Sequence, residues 1–207
     1  MRRALACVFL SVWTAACHRA PADGPHTLPF YDSADFTPRW TRSVTHTVAD
    51  FSLVSQTGNP LTRADLVGHI HVASFMFTAC PNLCPRLVEQ LKRVADAYRS
   101  DDRLRLVSYS VTPATDTPAR LAAFGQQRGI DAARWWLVTG DVKEIARLAR
   151  DSYFADDRRG TNADALLHTE KVLLVDASGR LRGVYNGTLP YDITRLIGDI
   201  RLLLDLT

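Results

Sequence analysis

An α/β fold, a mixed central sheet flanked by helices, is predicted by three features of this sequence. Ile70 to Phe77 is apolar on both faces apart from His71 and Ser74, as suits a central strand covered by helices on both sides. A helical period follows it, with Leu87, Val88, Leu91, Val94, Ala95 and Tyr98 on one side, and then a second strand from Leu104 to Ser110, completing a right-handed βαβ unit. Near the end, Asp176-Ala177-Ser178-Gly179 joins two short strand-like runs through a turn tight enough to make them antiparallel.

The 207 residues, 46% hydrophobic and 23% charged, suffice for one well-packed domain with short extensions and not for a second full domain. A formal charge of +3 gives no reason to expect nucleic acid as a partner. Residues 1–16, with Arg2-Arg3 ahead of an apolar run ending in small residues, have the pattern of a secretory signal, and the run is shorter than the roughly 20 residues that span a bilayer. Thr14-Ala15-Ala16-Cys17 resembles the lipobox of bacterial lipoproteins, which implies lipidation of Cys17 and an extracytoplasmic, periplasmic place on the membrane. Thr14 departs from the usual Leu, so plain cleavage after Ala16, or an uncleaved short anchor, stays open. Residues 17–45 carry Pro21, Pro25, Pro29 and Pro38 with little periodicity and are expected to be a tether, with the domain over 46–207.

Within that domain Val48 to Val54 and Leu61 suggest short strands about the turn Gln56-Thr57-Gly58-Asn59-Pro60, and Thr62 caps a brief helix ended by Gly68. Pro85 places the start of the next helix at Cys84 or just after it, and the helix runs to about Arg99. Thr117 and Pro118 open a third helix bearing Leu121 and Phe124, which ends by Gly129. Trp135 to Val138 is a short strand with one core and one rim tryptophan. Asp141 caps a helix to about Arg150, and Asp151 to Ala165 is polar and irregular, of a length that points to function or mobility. Strands over Val172 to Val175 and Leu181 to Tyr185 follow. An amphipathic helix with Ile193, Leu196, Ile197, Ile200 and Leu203 closes the chain.

Of four cysteines, Cys7 leaves with the signal and Cys17 is the acylation candidate, so Cys80 and Cys84 are the thiols of the fold. They sit four residues apart at a strand-to-helix turn, and a helically coiled turn puts both sulfurs on one side. That arrangement serves a metal, a disulfide, or each in turn, and an oxidising compartment favours the disulfide.

Three segments resemble the Sco/SenC family of copper-binding proteins: Phe77-Thr78-Ala79-Cys80-Pro81-Asn82-Leu83-Cys84-Pro85; Ser110-Val111-Thr112-Pro113-Ala114-Thr115-Asp116-Thr117-Pro118 with Trp136 to Gly140; and His168-Thr169-Glu170-Lys171-Val172-Leu173-Leu174-Val175-Asp176 with Gly179-Arg180-Leu181-Arg182-Gly183. The resemblance covers most of the chain from about Val48. It implies a thioredoxin-like fold and one copper ion, Cu(I) or Cu(II), held by Cys80, Cys84 and His168. It also implies a part in assembling the copper centre of a cytochrome c oxidase, with an oxidase subunit such as subunit II and a thioredoxin-like reductant as partners. The family commonly has Ser-Val-Asp-Pro where this chain has Ser110-Val111-Thr112-Pro113, while Asp116 is retained.

Two sulfurs and one imidazole suit either copper state, because thiolates favour Cu(I) and imidazole also accepts Cu(II). The competing reading is a thiol-disulfide oxidoreductase, in which Cys80 attacks and Cys84 resolves. A peroxidase of the same fold would need a Thr/Arg pocket about its cysteine, which Thr78 only faintly echoes. Taken without their context, the cysteines read as a structural disulfide, His168 as a cap, and His69 and His71 as strand-end packing. His18, His26 and His46 lie in or near the tether. Asp156-Asp157-Arg158-Arg159 reads as a solvated loop that could meet a partner.

Overall fold

The computed structural model describes residues 27–156 and 169–206. A seven-stranded sheet has the order β2-β1-β5-β4-β3-β6-β7. Its strands are β1 (Ser52–Ser55), β2 (Pro60–Thr62), β3 (Ile70–Met76), β4 (Leu104–Ser110), β5 (Trp135–Thr139), β6 (Lys171–Val175) and β7 (Leu181–Asn186). β3, β4 and β5 run parallel, while β6 pairs antiparallel with β3 and β1 antiparallel with β5. The helices are α1 (Leu83–Ala97), α2 (Pro118–Arg128), α3 (Val142–Arg147) and α4 (Pro190–Leu204), and α3 continues as a π-helical turn over Leu148–Ser152.

Alternation along β3 divides the core as the two-sided apolar run requires. Ile70, Val72 and Met76 pack with α1, α2 and α4 on one face. Ala73 and Phe75 pack on the other with α3, the π turn, Val48, Phe51 and Leu66. β3 is buried along its whole length. Thr117 caps α2 by accepting the Arg120 N–H, Pro118 fills its first turn, and Gly129 ends it at φ 66°, a left-handed conformation that glycine adopts without strain.

Three expectations need amendment. α1 begins at Leu83, so Cys84 and Pro85 lie inside its first turn; first-turn N–H groups lack helical acceptors, so a proline is tolerated there as well as at the first position. The stretch expected to be polar and irregular from Asp151 starts as core, because Ser152, Tyr153 and Ala155 are buried. The described part of the expected tether lies on the domain. Phe30 is buried, Phe30 bridges Arg39, and Tyr31 bridges Leu181 of β7. Arg182 holds this strap by donating to the carbonyls of Pro29 and Leu28 while pairing with Asp176 at 3.1 Å. The Phe30 ring lies against Arg182 and Arg180, with guanidinium carbons 3.9 and 4.5 Å from its centroid.

His69 and His71 were expected to be strand-end packing, and the structure half-buries the first and buries the second. His71 is buried beneath the π turn, its Nε2 3.1 Å from the Tyr153 hydroxyl, which in turn lies 2.9 Å from that of Tyr109. His46, near the strap's end, meets the Ser152 carbonyl at 2.9 Å and stacks on Phe154. No described helix is long and apolar enough to cross a membrane.

Candidate metal centre

β3 delivers the backbone to the site. Beyond Met76 the chain turns through Phe77, Thr78 and Ala79, with the Cys80 N–H donating to the Phe77 carbonyl at 3.3 Å. Asn82 stands at the N-cap of α1 but makes no side-chain cap, so the first-turn N–H groups need another acceptor. The Cys80 sulfur supplies it. It accepts the Cys84 N–H at 3.3 Å, and the backbones of Asn82 and Leu83 also hydrogen-bond to it.

This placement makes the two thiols unequal. Burial pushes the Cys80 thiol up, but the hydrogen bonds from Cys84, Asn82 and Leu83 outweigh it and hold the thiol below its ordinary value. Cys84 is pushed up to about 12, first by burial and then by its hydrogen bond to Cys80 and that sulfur's charge. Cys80 keeps 8% of its surface exposed and Cys84 2%, so the thiol that ionises more readily is also the more accessible one. Both are free thiols.

A buried carboxylate ties the cysteine turn to the end of β4. Asp116 Oδ2 accepts from the Thr78 N–H at 3.0 Å, the Ser110 hydroxyl at 2.7 Å and the Thr112 hydroxyl at 3.0 Å. Its Oδ1 accepts the Thr78 hydroxyl at 2.5 Å and faces Arg120 Nε at 3.6 Å. Arg120 Nε also donates to Thr78 Oγ1 at 2.8 Å. The sequence reading noted Asp116 only as a retained position and missed Arg120, since their common partner Thr78 lies about forty residues upstream. Thr112, at the position where the resemblance expects Asp, puts a hydroxyl donor where a second carboxylate would repel Asp116.

β6 returns to this end of the sheet. Its pairing with β3, His71 opposite Val175 and Ala73 opposite Leu173, runs the start of β6 toward the end of β3. Thr169 is buried and its Oγ1 accepts the Lys171 N–H at 3.1 Å. The Glu170 carbonyl accepts the Gly187 N–H at 2.7 Å. A Cβ at Gly187 would collide with Leu87 of α1 and Val172 of β6 and sit 3.2 Å from the Glu170 carbonyl, so glycine allows this close approach. Gly187→Ala is therefore expected to destabilise the fold by roughly 1–3 kcal/mol through overpacking. The check is a lower denaturant midpoint at unchanged slope.

Of the residues singled out from sequence, the described structure brings Cys80 and Cys84 together. His168 and Cys17 lie outside the described residues, as do Asp157, Arg158 and Arg159. Among the described residues no group of three or more His, Cys, Asp or Glu side chains could hold a metal ion. Two adjacent sulfurs on one turn, one of them hydrogen-bonded by backbone N–H groups, are a soft donor pair fitted to Cu(I).

Residues 40–205 match the family model described as SCO1/SenC. A SCO1/SenC family lipoprotein from Bacillus anthracis has a solved structure with TM-score 0.69 and 27% identity, covering 79% of this chain and 98% of that one. BsSco, described as having a disulfide switch and as a member of the Sco family of cytochrome c oxidase assembly proteins, matches with TM-score 0.67 and 25% identity over 78% of this chain and 95% of that one. Bradyrhizobium japonicum ScoI, solved with copper bound, matches with TM-score 0.58 and 26% identity over 72% and 98%.

Proposed function

Since the chain belongs to the SCO1/SenC family, we propose that it binds one copper ion through Cys80, Cys84 and His168 and passes it to a respiratory copper enzyme during assembly. The client is the copper-bearing subunit of a cytochrome c oxidase or a related enzyme. The protein works at the outer face of a bacterial membrane, held there through a lipidated Cys17. The observation that carries this reading is the placement of the Cys80 sulfur as the cap of α1, with the Cys84 thiol bonded to it, at the sheet end to which β6 returns.

Each residue has a task in this reading. Cys80 presents a sulfur already stabilised by backbone N–H groups, and so loses its proton with little cost on metal binding. Cys84 gives up its proton only to the metal, which makes uptake release protons. His168 would complete a three-donor set that leaves room for a fourth ligand from the client. A disulfide between the cysteines removes both thiolates, so a thioredoxin-like reductant must restore them in an oxidising compartment.

The reading is tested with the reduced full chain carrying Cys7→Ser and Cys17→Ser, titrated against a chromophoric Cu(I) chelator. One equivalent of Cu(I) is expected, with His168→Ala, Cys80→Ser and Cys84→Ser each removing most of the affinity. Unchanged affinity in all three variants would overturn it.

The inequality of the thiols favours a second reading, thiol-disulfide exchange with the cysteines of a client subunit. Cys80 has the character of an attacking thiol and Cys84 that of a resolving one. His168→Ala separates the two readings: exchange would survive it, and copper binding through three donors would not.

A further inference from the structure

We propose that Arg120 is a docking cation at the mouth of the cysteine site, and that it selects a partner segment carrying a carboxylate next to its own metal-binding or cysteine residues. The inference deepens the reading given above and rests on the cysteines being the point of approach for a partner.

Arg120 is held at its inner edge. Nε donates to Thr78 Oγ1, and Asp116 Oδ1 lies 3.6 Å away. The side chain is 52% exposed, and its η nitrogens have no hydrogen-bond partner among the described residues. The outer edge of the guanidinium therefore faces solvent in a set orientation, two parallel donors apart from the one already used. That geometry matches a carboxylate, and the prior ordering of the side chain reduces the entropy lost when one docks.

Among the described residues, the carboxylate paired with this guanidinium lies on its inner side. The loops that form the mouth, residues 77–83 and 111–118, contain a single acidic residue, Asp116, and it is fully buried. Asp116 is the floor on which Arg120 is mounted and is closed to a partner. At position 112, where the resemblance expects an acidic residue, Thr112 turns its hydroxyl inward to Asp116. Thr78, which Arg120 touches, precedes Cys80 by two residues, so their Cα atoms are within about 7 Å of one another. The guanidinium is thus joined to the turn that carries the accessible thiol through one hydrogen bond and two residues of backbone. A rim of Pro81, Asn82, Ala114 and Thr115 is exposed and uncharged, and the exposed charges next to it along the described chain are two cations, Arg86 near the start of α1 and Arg120 near the start of α2, which favour an anionic approaching loop.

The test uses two disulfide probes of opposite character on the reduced full chain carrying Cys7→Ser and Cys17→Ser. Each probe reacts by attack of the Cys80 thiolate on its S–S bond, forming a mixed disulfide and releasing one probe thiolate. Dithiobis(nitrobenzoate) carries a carboxylate on each half, and dithiodipyridine is neutral. Arg120→Gln is expected to slow the anionic probe roughly 3- to 5-fold at low salt while leaving the neutral probe's initial rate unchanged. Raising the salt to about 1 M should erase the difference. Equal slowing of both probes would show that Arg120 acts only by shaping the Thr78 turn, and no change in either would show that its charge does not reach the site; each result overturns the proposal. Thr78→Val, which frees the guanidinium, should reproduce part of the charge-selective loss, and its failure to do so would overturn the mounting argument. The measurement needs no copper, so it stands apart from a failure of the copper reading.

Discussion

Asp116→Ala should lower the melting temperature by roughly 10 °C, the shift expected for about 3–5 kcal/mol in a domain of this size. The basis is the number of donors stranded together. Removing the carboxylate, which has no exposed surface, strands the buried Ser110 hydroxyl and the half-buried Thr78 N–H and Thr78 and Thr112 hydroxyls. Each such group costs about 1–3 kcal/mol when unpaired, partly recovered where a hydroxyl can rotate to another acceptor. Asp116→Asn keeps the shape and one acceptor oxygen, so about half the loss is expected. The functional effect should exceed the stability effect, because Thr78 leads directly into Cys80. At temperatures where Asp116→Asn is fully folded by circular dichroism, Cu(I) affinity should still fall about 10-fold or more, a loss of some 1.4 kcal/mol. Thr78→Val should give a loss that does not add to it. Full additivity of the two, or unchanged affinity in the folded Asn variant, would show that the carboxylate does not position the cysteine turn.

His71 should make the domain unstable to acid over a defined range. Burial first, and then the neighbouring His69, pull its pKa from 6.5 to about 3, against an opposing pull from Asp176. The unfolded chain takes up this proton as the pH drops below about 6.5, whereas the folded chain does so only near 3. Between those values the unfolded state binds more protons, so stability is full above about 6.5 and falls as the pH descends toward 3. The slope approaches about 1.4 kcal/mol per pH unit, and the total over the window is on the order of 4 kcal/mol. His71→Gln can still donate to the Tyr153 hydroxyl and does not titrate. It should flatten the curve of unfolding free energy against pH between 4 and 6, and an unchanged slope in that variant would refute the assignment. The Nδ1 of His71 is buried with no partner among the described residues, so the wild type already bears a desolvation cost there.

Much of the architecture was legible because it is periodic. The doubly apolar run of β3, the helical stripe of α1 and the hairpin turn at Asp176 each leave a local mark, and their order is that of the sheet found. The cysteine pair was legible for the same reason, being a short motif at a strand-to-helix junction. What escaped the sequence was pairing at a distance. Asp116 read as a loop residue before a helix cap, yet its partners lie at Thr78 and Ser110, and nothing local to either marks them as neighbours. The strap was hidden differently. Proline-rich and aperiodic, residues 27–45 read as a spacer, but Phe30 finds two arginines at the far hairpin, Arg180 in its turn and Arg182 on β7, and a spacing rule cannot see that contact. Tyr153 was likewise obscured because its π turn shifts the helical period that pattern-matching relies on.

The clasp at Arg182 has a mechanical consequence. It lies by the start of β3, while the sulfurs lie past that strand's end, about 23 Å away for seven residues. Tension on the leading segment would be taken up where Leu28 and Pro29 are gripped, leaving the sulfur turn slack.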